Sequence, residues 1–194
     1  MKHIMIDLET MGLRPDAAIV SIGAVHFEGF TDQSLDHGTV LGHNDLRVVD
    51  TLHVAVSLKS CLDAGLTTDQ STVDWWAKQS AQARSSWQQE GAPTLLEALT
   101  QLSRWALRDS SDRQVCPWGN GADFDLVLLK SAYGAIGADP PWRYYNHRCY
   151  RTVKGLFPVA EVPRQGTHHN ALDDAMHQVS TLRQIVRSHR LRIV

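Results

Sequence analysis

Three strand-like runs precede the first helical period of this chain. Isoleucine and methionine dominate residues 3–8, and small and β-branched residues fill residues 18–27. A turn is predicted at residues 12–16, and a third short strand is predicted near residues 38–41. Because consecutive strands with no helix between them pair as a meander, the pattern predicts that the first three strands are antiparallel.

Helical spacing begins in the middle of the chain. Thr72 is predicted to cap a first helix, on which Val73, Trp76 and Ala77 share one face. A second helix is predicted over residues 95–106, where apolar side chains recur every three or four positions.

A strand, a turn and two helices complete the prediction. An apolar run at 114–118 leads into the Gly-Asn-Gly turn at 119–121, and helical spacing resumes over 124–132. A last amphipathic helix runs from about 170 to 186. The order of elements predicts an α/β fold with a mixed central sheet flanked by helices. At 194 residues the chain suits one domain, residues 1–194.

Composition limits the kinds of partner and compartment. A formal charge of −2 provides no global basic field for a polyanion, so any nucleic-acid contact must be local. The basic and aromatic stretch 143–154 is one candidate, and a solvated face explains it equally well. Three widely spaced cysteines argue against a disulfide framework or a thiolate zinc site. The apolar start contains acids and resembles neither a signal peptide nor a membrane span, so a cytoplasmic location without membrane association is expected.

Two acids interrupt the first apolar strand. Asp7 and Glu9 are two residues apart, and the period of two in a strand points both carboxylates to one face. Like charges among apolar neighbours either take up protons or bind a cation, and hard divalent ions take oxygen ligands of this type. A strand end whose acids face solvent explains the same pair.

Further acids and two histidines occur at predicted helix starts. Asp125 lies just inside the helix after the Gly-Asn-Gly turn, where side chains reach the crevice at the carboxyl edge of a sheet. His169 precedes the last helix, and Asp174 lies about one turn into it. Each has an alternative explanation, because helix starts favour acids such as Asp123 and Asp125 through the dipole, and capping explains a His–Asp pair.

Three segments together resemble the motifs of the DnaQ-like exonucleases. The segment Ile6-Asp7-Leu8-Glu9-Thr10 resembles the first motif of this family. Asn120 through Phe124-Asp125 resembles the second motif, and His169 with Asp174 resembles the third. Three motifs in chain order, each in its predicted structural context, form a specific signal. His169 and Asp174 are preferred to His168 and Asp173 because the family sets Ala two residues after the His and Ala directly after the Asp.

The resemblance extends from residue 5 to about 176 and implies a ribonuclease-H-like fold of the DEDDh type. Residues 74–79 also resemble the phage and bacterial branch related to exodeoxyribonuclease VIII and a mycobacterial exoribonuclease. The activity implied is 3′→5′ exonucleolysis with two Mg²⁺ or Mn²⁺ ions and His169 as general base. Related enzymes often form homodimers. The implied metal ligands are Asp7, Glu9, Asp125 and Asp174.

Substrate contacts are expected around the first motif and on the first helix. In related exonucleases an apolar side chain at the position of Met11 packs against the terminal base. A methionine that simply fills the core is an equally good explanation of Met11. Trp75 and Trp76 point about 100° apart on a helix, so one can pack inward while the other meets substrate. The predicted substrate-binding residues are Thr10, Met11, Trp75, Trp76, Asn120 and Phe124.

Two other functions use the same residues. An endonuclease of the ribonuclease H type also uses a carboxylate cluster and two metals. A binding module that has lost activity would lack at least one ligand, and none is missing here. The sequence does not choose between RNA and DNA, but single strands or 3′ overhangs are expected because a terminal nucleotide must enter a pocket.

Overall fold

A mixed five-stranded sheet organises the part of the chain that this computed structural model describes, residues 1–32 and 43–193. Its strands are β1 (Lys2–Thr10), β2 (Ile19–Asp32), β3 (His43–Ala55), β4 (Val115–Gly119) and β5 (Arg148–Cys149). Their order across the sheet is β3-β2-β1-β4-β5. The first three strands are antiparallel, whereas β4 runs parallel to β1 and to β5, so the predicted mixed sheet is confirmed. The strand expected at 38–41 lies outside the described residues.

Helices cover both faces of this sheet. They are α1 (Leu58–Asp63), α2 (Gln70–Ala77), α3 (Ala81–Ser85), α4 (Leu95–Leu107), α5 (Asp125–Ala135), α6 (Tyr150–Leu156) and α7 (Ala171–His189). Helix α4 begins with a capping box between Thr94 and Glu97, in agreement with the expected start. Within the described ranges, no helix has the length and apolar character needed to cross a membrane.

Helix α2 begins three residues earlier than the sequence pattern predicts. Asp69, not Thr72, occupies its N-cap position. The carboxylate of Asp69 makes no capping bond and instead accepts a hydrogen bond from the Leu13 N–H at 3.2 Å. The start of α2 is therefore set by a contact with the turn after β1, which no local signal contains.

The predicted apolar face of α2 is also wrong. Trp76 is buried, whereas Val73 and Ala77 are exposed. The indole N–H of Trp76 donates to the Thr10 carbonyl oxygen at 2.9 Å. One large side chain thus fixes this short helix against the end of β1, because its length leaves no room for a continuous stripe.

The period of two along β1 divides its side chains between two apolar layers. Ile4, Ile6 and Leu8 pack in the layer that contains α4 and α5. Met5 packs in the opposite layer with the inner face of α7. Asp7 and Glu9 share the parity of Met5, so both acids point to the side that α7 covers.

A glycine in β2 lets α7 approach the sheet closely. Gly23 pairs with Asp7 in the β1–β2 ladder. A Cβ added to Gly23 would lie 2.1 Å from the backbone carbon of Ala171, the first residue of α7. The backbone at the start of α7 therefore packs directly against the backbone of β2 at Gly23. This close packing places Asp174 over the acids of β1.

We expect Gly23→Ala to destabilise the protein by about 1–3 kcal/mol, because the added methyl group meets backbone that cannot rotate away. Urea denaturation would measure the loss. Gly134→Ala in α5 is the matched control, since a Cβ there meets nothing within 4 Å. That control should be neutral or stabilising by up to about 1 kcal/mol. Equal stability of Gly23→Ala and wild type would contradict the close approach.

Ion pairs fix the second half of α7 to β3. The Asp45 carboxylate is 3% exposed and accepts hydrogen bonds from the Arg183 guanidinium at 2.7 and 2.8 Å. Arg187 adds a contact with Asp45 at 3.2 Å. Both arginines therefore serve as internal contacts between the last helix and the edge strand, and they help to hold the start of α7 in register.

Candidate active site

Four carboxylates from three elements converge at one end of the sheet. Asp7 and Glu9 come from β1, Asp125 is the first residue of α5, and Asp174 lies in the first turn of α7. Each of the other three charges contributes to raising the pKa of Asp7, so the groups lie close together. The structure thus brings together the four acids that the sequence singled out.

A histidine joins this cluster. Glu9, His169 and Asp174 each offer one potential ligand atom, and these atoms lie within 4.8 Å of one another. His169 adopts a left-handed backbone conformation, with φ of 62°, and its N–H donates to the Asp174 carboxylate at 3.1 Å. Asp7 and Asp125 are not members of this three-residue group, but the Asp125 charge acts on both Asp7 and Glu9.

The structure distinguishes the two adjacent histidines and the two adjacent acids. His168 is exposed, whereas the His169 side chain is a member of the cluster. The Asp173 carboxylate turns to accept a hydrogen bond from the Thr167 N–H at 2.7 Å, which stabilises the loop before α7. His169 and Asp174 are therefore the pair that faces Glu9. Asp123 is exposed.

Burial raises the pKa values of Asp7, Glu9 and Asp125, and repulsion by neighbouring charges adds to the shifts of Asp7 and Glu9. Burial, followed by the charges of Asp125, Glu9 and Asp174, raises the pKa of Asp7 well above its usual range. Burial, followed by the charges of Asp174 and Asp125, raises the pKa of Glu9 to about 8. Burial also raises the pKa of Asp125 to about 6, although backbone N–H groups, including that of Asn120 at 2.8 Å, oppose this shift.

The donor set fits hard divalent cations. Within the described residues, no Lys or Arg forms an ion pair with Asp7 or Glu9, and the Arg164 guanidinium pairs with Asp174. The Gln178 side-chain amide donates to Asp7 at 2.7 Å. Among the described residues, nearby protein cations do not fully balance the negative charges of these carboxylates. Ions such as Mg²⁺ or Mn²⁺, which prefer carboxylate oxygens, would stabilise them.

Without divalent ions, the protein should lose stability as the pH rises, and Glu9→Gln should reduce that loss. The pKa of Glu9 is about 8 in the folded chain against an ordinary value of 4.5, so between these pH values the folded state retains a proton that the unfolded state has released. Its stabilising contribution is complete below about pH 4.5 and disappears as the pH rises through about 8. The change is on the order of a few kcal/mol.

Urea denaturation in EDTA at pH 4.5 and pH 8 would test this expectation. Glu9→Gln should match wild type at the lower pH and exceed it at the higher one. Saturating Mg²⁺ should restore the wild-type protein at pH 8, because a bound cation replaces the retained proton. If the stabilities of the two proteins changed in parallel with pH, the raised pKa of Glu9 would have no support.

A cavity of about 380 Å³ opens beside Glu9. Its lining residues are Leu8, Glu9, Thr10, Leu13, Ser71, Thr72, Trp75, Trp76 and Phe124. Four of the predicted substrate-binding residues are among them. Trp76 forms a buried wall, whereas Trp75 is 39% exposed, so the two indoles divide as their helical spacing predicts.

The prediction for Met11 is wrong. Met11 is 2% exposed and packs in the apolar layer, because its backbone N–H continues the strand ladder by donating to Ala18. Leu13, which is 75% exposed, presents the apolar side chain at the cavity instead. Asn120 is not among the lining residues, and its described contact is the backbone hydrogen bond to Asp125.

Sequence reasoning missed three residues of the site. Gln178 follows Asp174 by four positions on α7, so helical spacing could have indicated that it shares the same face. Leu13 lies in a turn and Arg164 in the irregular segment before α7, where no periodicity marks a side chain. Within the basic stretch, Arg143 pairs with Asp112 at 2.8 Å.

Solved structures of 3′-exonucleases share this fold. The chain resembles the nuclease domain of 3′hExo, a DEDDh family member bound to rAMP, with 13% identity, a TM-score of 0.59 and coverage of 96% of this chain and 92% of that chain. A full-length 3′-exonuclease gives 12% identity, a TM-score of 0.56 and coverage of 97% and 82%. The structure of a 3′-exonuclease that specifically recognises the 3′ end of a histone mRNA stem-loop gives 11% identity, a TM-score of 0.59, and coverage of 100% of this chain and 84% of that chain.

Sequence comparison gives the family. No curated protein matches the chain. The model of the Rv2179c-like 3′-5′ exoribonuclease domain matches residues 2–186, which include every member of the carboxylate cluster and His169. With its acids and histidine assembled on this sheet, the chain belongs to the Rv2179c-like 3′-5′ exoribonuclease domain family and is a 3′-5′ exonuclease.

Proposed function

We propose that this exonuclease removes nucleotides from the 3′ end of single-stranded or 3′-overhanging RNA or DNA and releases nucleoside 5′-monophosphates. The observation that carries the proposal is the ligand group of Glu9, His169 and Asp174 beside a cavity lined by apolar side chains. The family description and the rAMP and mRNA bound by similar structures favour RNA.

Two Mg²⁺ or Mn²⁺ ions would be held by Asp7, Glu9, Asp125 and Asp174. When bound, such ions neutralise negative charge that develops on the phosphate during hydrolysis. Asp7 is oriented by the Gln178 amide, and Asp125 by the backbone N–H of Asn120. These hydrogen bonds keep the carboxylates aimed at the cluster before any substrate arrives.

His169 is the proposed general base. Burial lowers the pKa of its imidazole, while the Asp174 charge opposes that shift, and the nearby His168 and Arg164 lower the pKa further. A histidine with a lowered pKa is neutral at pH 7 and can accept a proton from the attacking water at an imidazole nitrogen. The imidazolium formed in this way then releases the proton to solvent.

The cavity would receive the 3′-terminal nucleotide. Leu13, Trp75 and Phe124 offer apolar surface to a base, and Glu9 connects the cavity with the carboxylate cluster. Stacking of a base on an aromatic side chain contributes about 1–3 kcal/mol and requires no particular sequence. Because a paired terminal base would first have to leave its duplex, single strands and 3′ overhangs are the proposed substrates.

Degradation of 5′-labelled strands would test this function. RNA and DNA of one sequence, as single strands and with 3′ overhangs, are incubated with Mg²⁺ or Mn²⁺ and sampled over time. A ladder that shortens from the 3′ end is expected, together with 5′-monophosphates. A circular strand of the same composition is the control and should persist. Cleavage of the circle would show endonuclease activity instead.

We also propose a cytoplasmic location and a homodimer as expectations for separate tests. The free thiols of Cys61, Cys116 and Cys149 are compatible with a reducing compartment. Light scattering of the purified protein would give its mass in solution. A mass equal to that of one 21.7 kDa chain would contradict the dimer.

A further inference from the structure

The imidazole of His169 packs against an indole of α2. Its ring centroid lies 4.7 Å from that of Trp75, at an interplanar angle of 85°. Within the described residues, the hydrogen bond of His169 runs from its backbone N–H to Asp174, whereas its ring makes aromatic contacts, of which the one with Trp75 is shorter than those with Trp76 and His168. Bases in other active sites are commonly oriented by a third polar group. Here an aromatic contact stands in that position.

Trp75 is itself held in relation to the carboxylates. Its ring lies 5.0 Å from that of Trp76 at 76°, and the Trp76 N–H donates to the carbonyl oxygen of Thr10. Thr10 directly follows Glu9 on β1. A continuous series of contacts therefore runs from the metal-ligating strand through both indoles to the imidazole.

The same indole also borders the cavity. Trp75 is 39% exposed and lines it together with Glu9 and Phe124. A base that entered the cavity would meet the ring that contacts His169. The side chain of Trp75 thus contacts both the proposed nucleotide cavity and the proposed general base, His169.

We propose that Trp75 is a positioning residue that orients the His169 imidazole toward the carboxylates and couples filling of the cavity to that orientation. This inference rests on the proposed function. Edge-to-face aromatic pairs stabilise one relative ring orientation. Loss of the indole allows the imidazole to adopt other rotamers, so fewer enzyme–substrate complexes hold the base correctly.

Steady-state kinetics on a labelled single strand would separate positioning from substrate contact. Trp75→Leu removes the aromatic partner and should lower kcat roughly tenfold, whereas Trp75→Phe keeps an aromatic ring and should remain within about threefold of wild type. Phe124→Leu, on another wall of the cavity, is the matched control and should raise KM while kcat is retained. Trp75→Met replaces Trp75→Leu if the latter does not fold.

A second measurement needs neither metal nor substrate. NMR signals of the His169 ring protons, assigned by their loss in His169→Gln, should be displaced by the ring current of Trp75 in wild type. The displacement should shrink in Trp75→Phe and shrink further in Trp75→Leu, where the more distant ring of Trp76, at 6.3 Å, still contributes. Calorimetry should give the same Mg²⁺ affinity for all three proteins, because Trp75 offers no ligand atom.

The outcomes distinguish this inference from the function on which it rests. Unchanged kcat in Trp75→Leu, or His169 signals that do not move, would overturn the positioning role while the exonuclease stands. A rise in KM alone would make Trp75 a substrate wall only. Failure of the wild-type protein to shorten any strand from its 3′ end would count against the proposed function itself.

Discussion

Asp174→Asn should reduce 3′→5′ degradation by at least about 10³-fold. Metal ions contribute several kcal/mol of charge stabilisation in phosphoryl transfer, and each 1.36 kcal/mol corresponds to a factor of ten in rate. The substitution preserves the shape of the side chain but removes a charge that faces Glu9 and His169. Calorimetry should show weaker Mg²⁺ binding, and product ladders should show the loss of turnover.

The neighbouring acid provides a matched control. Asp173→Asn removes the same charge one residue away, and its amide oxygen can still accept the hydrogen bond from the Thr167 N–H. This variant should retain wild-type metal affinity and most of the activity. If the two variants lost activity equally, the assignment of Asp174 over Asp173 would have no support, and net charge near the helix start would explain the effect.

His169→Ala should lower kcat by ~10²–10⁴-fold, the usual contribution of one general base. Asp7, Glu9, Asp125 and Asp174 remain in this variant, so Mg²⁺ affinity should be close to that of wild type. The measurement pairs single-turnover degradation of a labelled strand with calorimetric titration of the metal. A fall in rate without a fall in affinity is the expected signature of a base.

Two results would contradict this role. The His169 ring lies within 4.8 Å of potential ligand atoms from Glu9 and Asp174, so a large loss of metal affinity in His169→Ala would make the imidazole a ligand and not a base. His168→Ala is the control, because that side chain is exposed and should be dispensable. Equal losses in both histidine variants would point to the loop as a whole.

Local patterns in the sequence are sufficient to predict the elements that carry the chemistry. The period of two in β1 requires Asp7 and Glu9 to share a face, and the spacing of apolar residues predicts α4, α5 and α7 without any long-range contact. These are local regularities, and local regularities can be derived from one chain. The order of the acids and of His169 was sufficient to indicate the family.

Long-range contacts establish which neighbours of those residues face the site. Met11 is buried and Leu13 lines the cavity, because β1 extends its ladder to Ala18 before the turn begins. The start of α2 depends on Asp69 contacting Leu13, and the seat of α7 depends on Gly23 in a distant strand. Contacts between residues far apart in sequence set these features, and neither propensity nor periodicity contains that information.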